Sequence, residues 1–185
     1  MTNTARLILA DAKHAIDKYS ENLQGADFRI SWLAIITLLS SVKDGLDHVD
    51  CKLSPEMKSA IETKRRENNE LKPDIFFKFI NKERNLFVHQ YKHGVRKSIY
   101  INVFFRNKDG SSELGFQVHI SDPVNMTLTI TDENFQSIIT DGPFAGMSEK
   151  VVALQAYEWW LKYLDEVDHL AKIDISKPST SSRYE

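Results

Sequence analysis

Cysteine is almost absent from this chain of 185 residues: Cys51 stands alone, so no internal disulfide framework can form. A chain of this length buries a core of ordinary size without a disulfide or structural metal. An excess of one charge is also missing. With 26 acidic residues against 24 basic ones, a net charge of -2 and a pI near 6.3, the molecule is not a polyanion binder of the strongly basic kind. Any nucleic-acid surface must therefore be local. Long apolar runs are lacking too, since Trp32 to Leu39 is broken by Thr37 and flanked by Arg29 and Lys43. No membrane role is expected. At the amino end only Leu7 to Ala10 is apolar before Asp11 and Lys13, unlike an export signal, so the expected location is the cytoplasm. Neither a G-x-x-x-x-G-K-[ST] phosphate loop, a G-x-G-x-x-G fingerprint, a G-x-S-x-G elbow nor an internal repeat is found.

What the chain does contain is helical periodicity. Leu7, Ile8, Ala12, Ala15, Ile16, Tyr19 and Leu23 predict a first helix, with Gly25 as its stop. Phe28, Trp32, Ile35, Ile36, Leu39, Val42 and Leu46 predict a second, central one, with Asp27 as N-cap. Ser54, Pro55 and Glu56 open a polar surface helix by capping, proline and first-turn acid signals. A fourth helix is predicted from Pro73 to Gly94, with Ile75, Phe76, Phe79, Ile80, Leu86 and Phe87 on one arc.

The period then changes to two. Ile99 to Phe105, Leu114 to Ile120 and Met126 to Ile130 read as three strands, with the first turn at Asn107 to Ser112, hence a three-stranded antiparallel meander. Ser148 caps a last long helix carrying Val151, Leu154, Trp159, Leu161, Leu164, Val167 and Leu170. The expected class is α+β, mainly α. One domain over residues 1–175, a meander extension at 98–131 and a polar tail at 176–185 complete the organisation.

Within the fourth helix stands Glu83-Arg84-Asn85-Leu86-Phe87-Val88-His89, followed by Gln90, Tyr91, Lys92 and His93. Arg84, Asn85 and His89 match the R-X4-6-H signature, and in this respect the chain resembles the HEPN superfamily. The resemblance covers residues 1–97 in architecture and 83–93 in motif; the meander departs from the minimal pattern. It implies a helical bundle, usually dimeric, in which two motif-bearing helices face each other and build a metal-independent ribonuclease site. A toxin or phage-defence setting, with RNA or a nucleotide as ligand and a cognate antitoxin or other protein partner, belongs to the same implication. No cofactor and no metal are expected.

The residue types suit that chemistry. Cleavage of RNA through its own 2′-OH needs a proton acceptor, a proton donor and a cation on the charged phosphorane. His89 is the candidate acid or base, Arg84 the candidate for the phosphate, and Asn85 the candidate for positioning ribose or phosphate. Residues five apart on an ideal helix are separated by about 140°, so one straight helix does not bring Arg84 and His89 together. Either the helix is distorted or two copies of the chain share the site, and the dimer is favoured.

Glu83 falls in the apolar arc and calls for a partner such as Arg29 or Arg84. Asn85, His89 and His93 form a polar stripe at i, i+4, i+8 that marks His93 as an accessory residue. Seven basic residues between Lys72 and Lys97 stand against Asp74 and Glu83, a local charge of +5, and offer Lys82, Lys92 and Arg96 as substrate-binding candidates. Solvation of an exposed helix face is the plain alternative for these charges. His89 and His93 also have the spacing of a metal pair, but no third ligand is evident, and metal binding is not expected. Tyr157, Trp159, Trp160 and Tyr163 are read as core and interface rather than base-stacking residues, and Tyr100 and Phe104 as part of that packing. A non-catalytic module of the same fold, binding a nucleotide, RNA or protein, is the competing functional reading.

Overall fold

The computed structural model describes residues 1–106, 112–121 and 133–176. Helices dominate: α1 (Asn3–Lys18), α2 (Gly25–His48), α3 (Pro55–Leu71), a π-helical turn (Ile75–Ile80) running into α4 (Asn81–Gln90), and α5 (Glu149–Ser176). Three strands stand between α4 and α5: β1 (Val95–Arg106), β2 (Ser112–Ser121) and β3 (Glu133–Ile139). The fold is α+β, mainly α.

All seven residues expected on the buried side of α2 are buried, together with Gly45. Trp32, Ile36, Leu39 and Val42 are wholly shielded, each worth about 1.5–3 kcal/mol relative to exposure. By length and composition the segment Gly25–Lys52 is apolar enough to cross a bilayer, yet Phe28, Trp32, Ile35, Ile36, Leu39, Val42 and Leu46 lie in the bundle core, while Ile30 and Val49 are exposed. Of the residues expected to face inward from the first and last helices, Ala12, Ile16, Tyr19, Leu164 and Val167 are buried and Ile8, Ala15, Leu23, Leu154, Trp159 and Leu170 pack against the core, with Leu7, Val151 and Leu161 as exceptions. In α1 the buried line is Ala5, Leu9, Ala12 and Ile16, while Leu7 is exposed. In α5 it is Val152, Ala153, Ala156, Trp160, Tyr163, Leu164, Val167 and Ala171, with Val151 and Leu161 outside. Small residues let α1 come close to α2, as Ala5 and Gly45 do.

Gly45 marks that closeness. A Cβ there would lie 3.0 Å from Ile8 Cδ1 and 3.3 Å from Ala5 Cα and N, which is tight packing against the backbone of α1. Remote carboxylates satisfy the free amides at the start of α1. Asp50 accepts from Thr4 N (3.0 Å) and Ala5 N (2.9 Å), and Asp168 accepts from Thr2 N (2.8 Å) and Arg6 Nη2 (2.9 Å). Ser54 caps α3 as expected, its hydroxyl accepting from Met57 N at 3.1 Å. Asp27 is not the cap of α2, which begins after Gln24.

The sheet is not a meander. Its order is β2-β1-β3, all antiparallel, with β1 central; Ile99 pairs with both Ile120 and Phe135. The expected strand at 126–131 and the turn at 107–111 lie outside the described residues. β3 falls in a segment rich in polar residues and pairs with the edge of β1 opposite β2. Backbone bonds from Thr140 N to Gly94 O (2.8 Å) and Ile139 N to Met147 O (2.9 Å) fasten that corner. Replacing Gly45 by Val should push α1 off α2 and cost about 1–3 kcal/mol, read as a lower urea midpoint with unchanged helical circular dichroism.

Candidate functional site on helix four

Why does α4 show one particular face to solvent? The π-helical turn plants Phe76, Phe79 and Ile80 in the core, and Phe87 follows one side of α4 into the same core. Glu83 lies between them, only 2% exposed. Its carboxylate accepts from Trp32 Nε1 (3.2 Å) and, with both oxygens, from Gly94 N (3.1 and 3.2 Å). The expected ion pair with Arg29 or Arg84 is therefore replaced by an indole and a backbone amide. Burial pushes the Glu83 carboxyl above the ordinary carboxylate range, and the Trp32 and Gly94 hydrogen bonds oppose that rise. Gly94 is required there, since a Cβ would stand 2.4 Å from Glu83 Oε1.

With that side held, Arg84, Asn85, Val88 and His89 all face water. Arg84 Nη1 donates to Asn85 Oδ1 at 3.2 Å. His89 makes no contact with Arg84 within the protomer. The helix distortion lies upstream at 75–80, and from Asn81 to Gln90 the backbone is α-helical, so the separation of about 140° stands.

His93 leaves the expected stripe. α4 stops at Gln90, Tyr91 turns into the left-handed region (φ 52°), and the His93 ring packs edge-on to Phe28 (4.8 Å) and beside Phe87 (5.8 Å). Its Nδ1 is 3.0 Å from Val95 O. His93 is thus a packing residue.

The basic segment thins out as well. Lys78 pairs with Asp74 (2.8 Å), Lys82 with Asp141 (2.6 Å), and Lys97 is buried. Arg84, Lys92 and Arg96 are exposed, and among the described residues no carboxylate pairs with them.

Lys97 belongs to a cluster that sequence reasoning missed. Its ammonium lies 4.4 Å from the centre of the Phe28 ring and donates to Glu149 Oε1 (3.0 Å), Tyr19 Oη (3.1 Å) and Glu21 O (2.8 Å). Glu149 is wholly buried and also accepts from Tyr19 Oη (2.6 Å) and Ser137 Oγ (2.5 Å), while among the described residues its Oε2 has no hydrogen-bond partner. Ser148, expected as a cap, donates its hydroxyl to Glu21 Oε1. Burial pulls the Lys97 ammonium below the ordinary lysine value, against the pull of Glu149, and it pushes the Tyr19 phenol up. The cluster joins β1 and β3 to α1 and α5, so it fastens the sheet to the bundle. No local signal reveals it, because Lys97 and Glu149 are 52 residues apart.

The aromatic residues of α5 behave as packing residues. Trp160 and Tyr163 are buried and Trp159 stacks on Phe76 at 5.5 Å. Beside them a groove between α3 and α5 is lined by Lys64, Asn68, Trp159, Lys162, Tyr163 and Glu166; no residue of the motif reaches it. The side chains of Tyr100 and Phe104 lie outside the described residues. Comparison of the chain with family models, curated proteins and solved structures returns no match.

Two outcomes follow from these buried groups. A carboxyl held above its unfolded value favours the folded state most when protonated, and that advantage is lost as pH rises through the folded value. Glu83→Gln should therefore abolish an acid-side gain that the native chain shows when urea midpoints are followed downward from neutral pH. Lys97→Met should strand the Glu149 carboxylate and cost about 3–5 kcal/mol, and adding Glu149→Gln should restore most of it.

Proposed function

We propose that the chain is a HEPN-type helical bundle that works in the cytoplasm as a dimeric, metal-independent endoribonuclease. One observation carries this reading: Arg84, Asn85 and His89 are all exposed on α4, and among the described residues no carboxylate pairs with them.

The reaction follows from what each group can do. One imidazole takes the proton of the ribose 2′-OH, whose oxygen then attacks the adjacent phosphorus. The guanidinium of Arg84 donates to the non-bridging oxygens as negative charge builds, a geometry that suits its planar fork. The bond from phosphorus to the 5′ oxygen breaks, that oxygen receives a proton, and a 2′,3′-cyclic phosphate remains. Acceptor and donor are two tasks, and each protomer offers one exposed motif histidine. Two copies of His89 around a two-fold axis divide them, which resolves the separation of about 140° between Arg84 and His89 on α4.

The competing reading is a non-catalytic module of the same fold that holds RNA, a nucleotide or a protein. The observation in its favour is that Arg84 contacts its neighbour Asn85 and not His89. Incubation of the pure protein with RNA and a chelator separates the two. Under the proposal cyclic phosphate ends accumulate, and Arg84→Ala and His89→Ala each slow cleavage about a hundredfold or more while thermal unfolding stays unchanged, because both side chains are exposed. Intact RNA, or full cleavage by both variants, contradicts the nuclease.

A further inference from the structure

The groove between α3 and α5 holds hydrogen-bond donors that nothing among the described residues answers. Trp159, Lys162, Tyr163 and Glu166 follow each other at i, i+3, i+4 and i+7 on α5, and Lys64, Asn68 and Leu71 at i, i+4 and i+7 on α3, so both rows face one space. The floor is aromatic: Tyr163 and the partly exposed Trp159, which lies over Phe76 with ring centres 5.5 Å apart. Leu71, 78% exposed at the end of α3, and Pro73 form an apolar rim. The enclosed space is about 220 Å³, which is room for roughly seven waters or for one aromatic ring with a short arm.

Polar groups converge on that space. Tyr163 is only 7% exposed, and its hydroxyl has no hydrogen-bond partner among the described residues; it is not one of the sealed orphan atoms, so it opens on the cavity that the ring lines. Burial, with Asp47 nearby, pushes this phenol up, and it stays a donor at physiological pH. The side-chain amide of Asn68 is likewise without a partner among the described residues. Lys162 is 80% exposed and reaches Glu166 Oε1 only at 3.9 Å. Glu166, the one acid of this lining, is already held, because Lys64 meets its Oε2 at 2.5 Å and Glu67 at 2.9 Å. Three donors thus stand open while the acid is taken, and the cavity calls for an acceptor with negative charge. Across the Lys64–Glu166 bridge a second cavity of about 460 Å³ is lined by Glu67 and Asp165, whose carboxylates disfavour an anion on that side.

We infer that the smaller cavity is a binding site for a small aromatic carboxylate, its ring laid against Trp159 and the apolar rim and its acid group received by Tyr163, Asn68 and Lys162. Apolar walls with a few convergent polar groups are the general form of a small-molecule site. A ring without the charge leaves the donors unanswered, and an acid without the ring leaves the walls bare. This site stands apart from the reading of α4, since no motif residue lines the groove.

The test is calorimetric titration of the full chain with phenylacetate, hydrocinnamate and indoleacetate, beside acetate and the methyl ester of each aromatic acid. At least one aromatic acid should bind at one site per chain and raise the melting temperature, while acetate does neither and the matching ester binds about tenfold more weakly or worse. Lys162→Met alters an exposed side chain, and Tyr163→Phe keeps the buried ring. Each should weaken the acid by about tenfold and bring its affinity toward that of the ester. Arg84→Ala should bind as the native chain does. No binding by any of the three acids, an ester as tight as its acid, native affinity in either groove variant, or a loss in Arg84→Ala would each overturn the site. Should Tyr163→Phe fail to fold, Lys162→Met decides alone.

Discussion

A carboxylate removed from water sets the orientation of everything proposed for this protein. Glu83 is held between an indole of α2 and the backbone amide of Gly94, beyond the end of α4, and so fixes the rotation of α4 about its own axis. Because Glu83 points inward, Arg84 and Asn85, the next residues round the helix, point outward, and His89 lies on the same open arc. A carboxylate in this place is costly unless every lone pair that matters finds a donor. Trp32 and Gly94 provide those donors without neutralising the charge, and the guanidinium beside it in sequence stays free for another partner.

The sheet is attached by a second buried charge. Lys97 on β1 and Glu149 at the start of α5 meet inside, with Tyr19 and Ser137 adding hydrogen bonds to the same carboxylate oxygen. Thus the elements on either side of the candidate site are each tied down by a polar contact that tolerates little movement. An apolar contact would allow sliding; these groups demand register, since a shifted partner leaves a charge unpaired.

Much of the bundle was legible because α2 is buried along a wide stripe of large side chains, and a period of 3.6 shows most clearly in such a helix. In α1 and α5 the buried alanines were harder to read. Ala5, Ala153 and Ala156 are buried, and small residues carry little weight in a pattern built on large ones. β3 was hidden by Asn134, Gln136 and Ser137, which look like loop residues until the pairing with β1 is known. The motif residues could be located but not judged: nothing local says that α4 ends at Gln90, so His93 was placed on a stripe it never joins. Lys97 was counted as a surface cation because alternation along a strand does not tell which side is covered.

The two aspartates at the start of α1 have a bearing on how the chain comes together. Asp168 is 166 positions from Thr2, so the Thr2 amide waits for the last helix, whereas those of Thr4 and Ala5 are met by Asp50 just past α2. As the chain is synthesised from its amino end, α1 and α2 can pair early, yet the residue that leads into α1 stays untied until α5 arrives. Completion of the bundle is therefore coupled to emergence of its final helix, and a chain interrupted before that point should be open to proteases at its beginning rather than at its break.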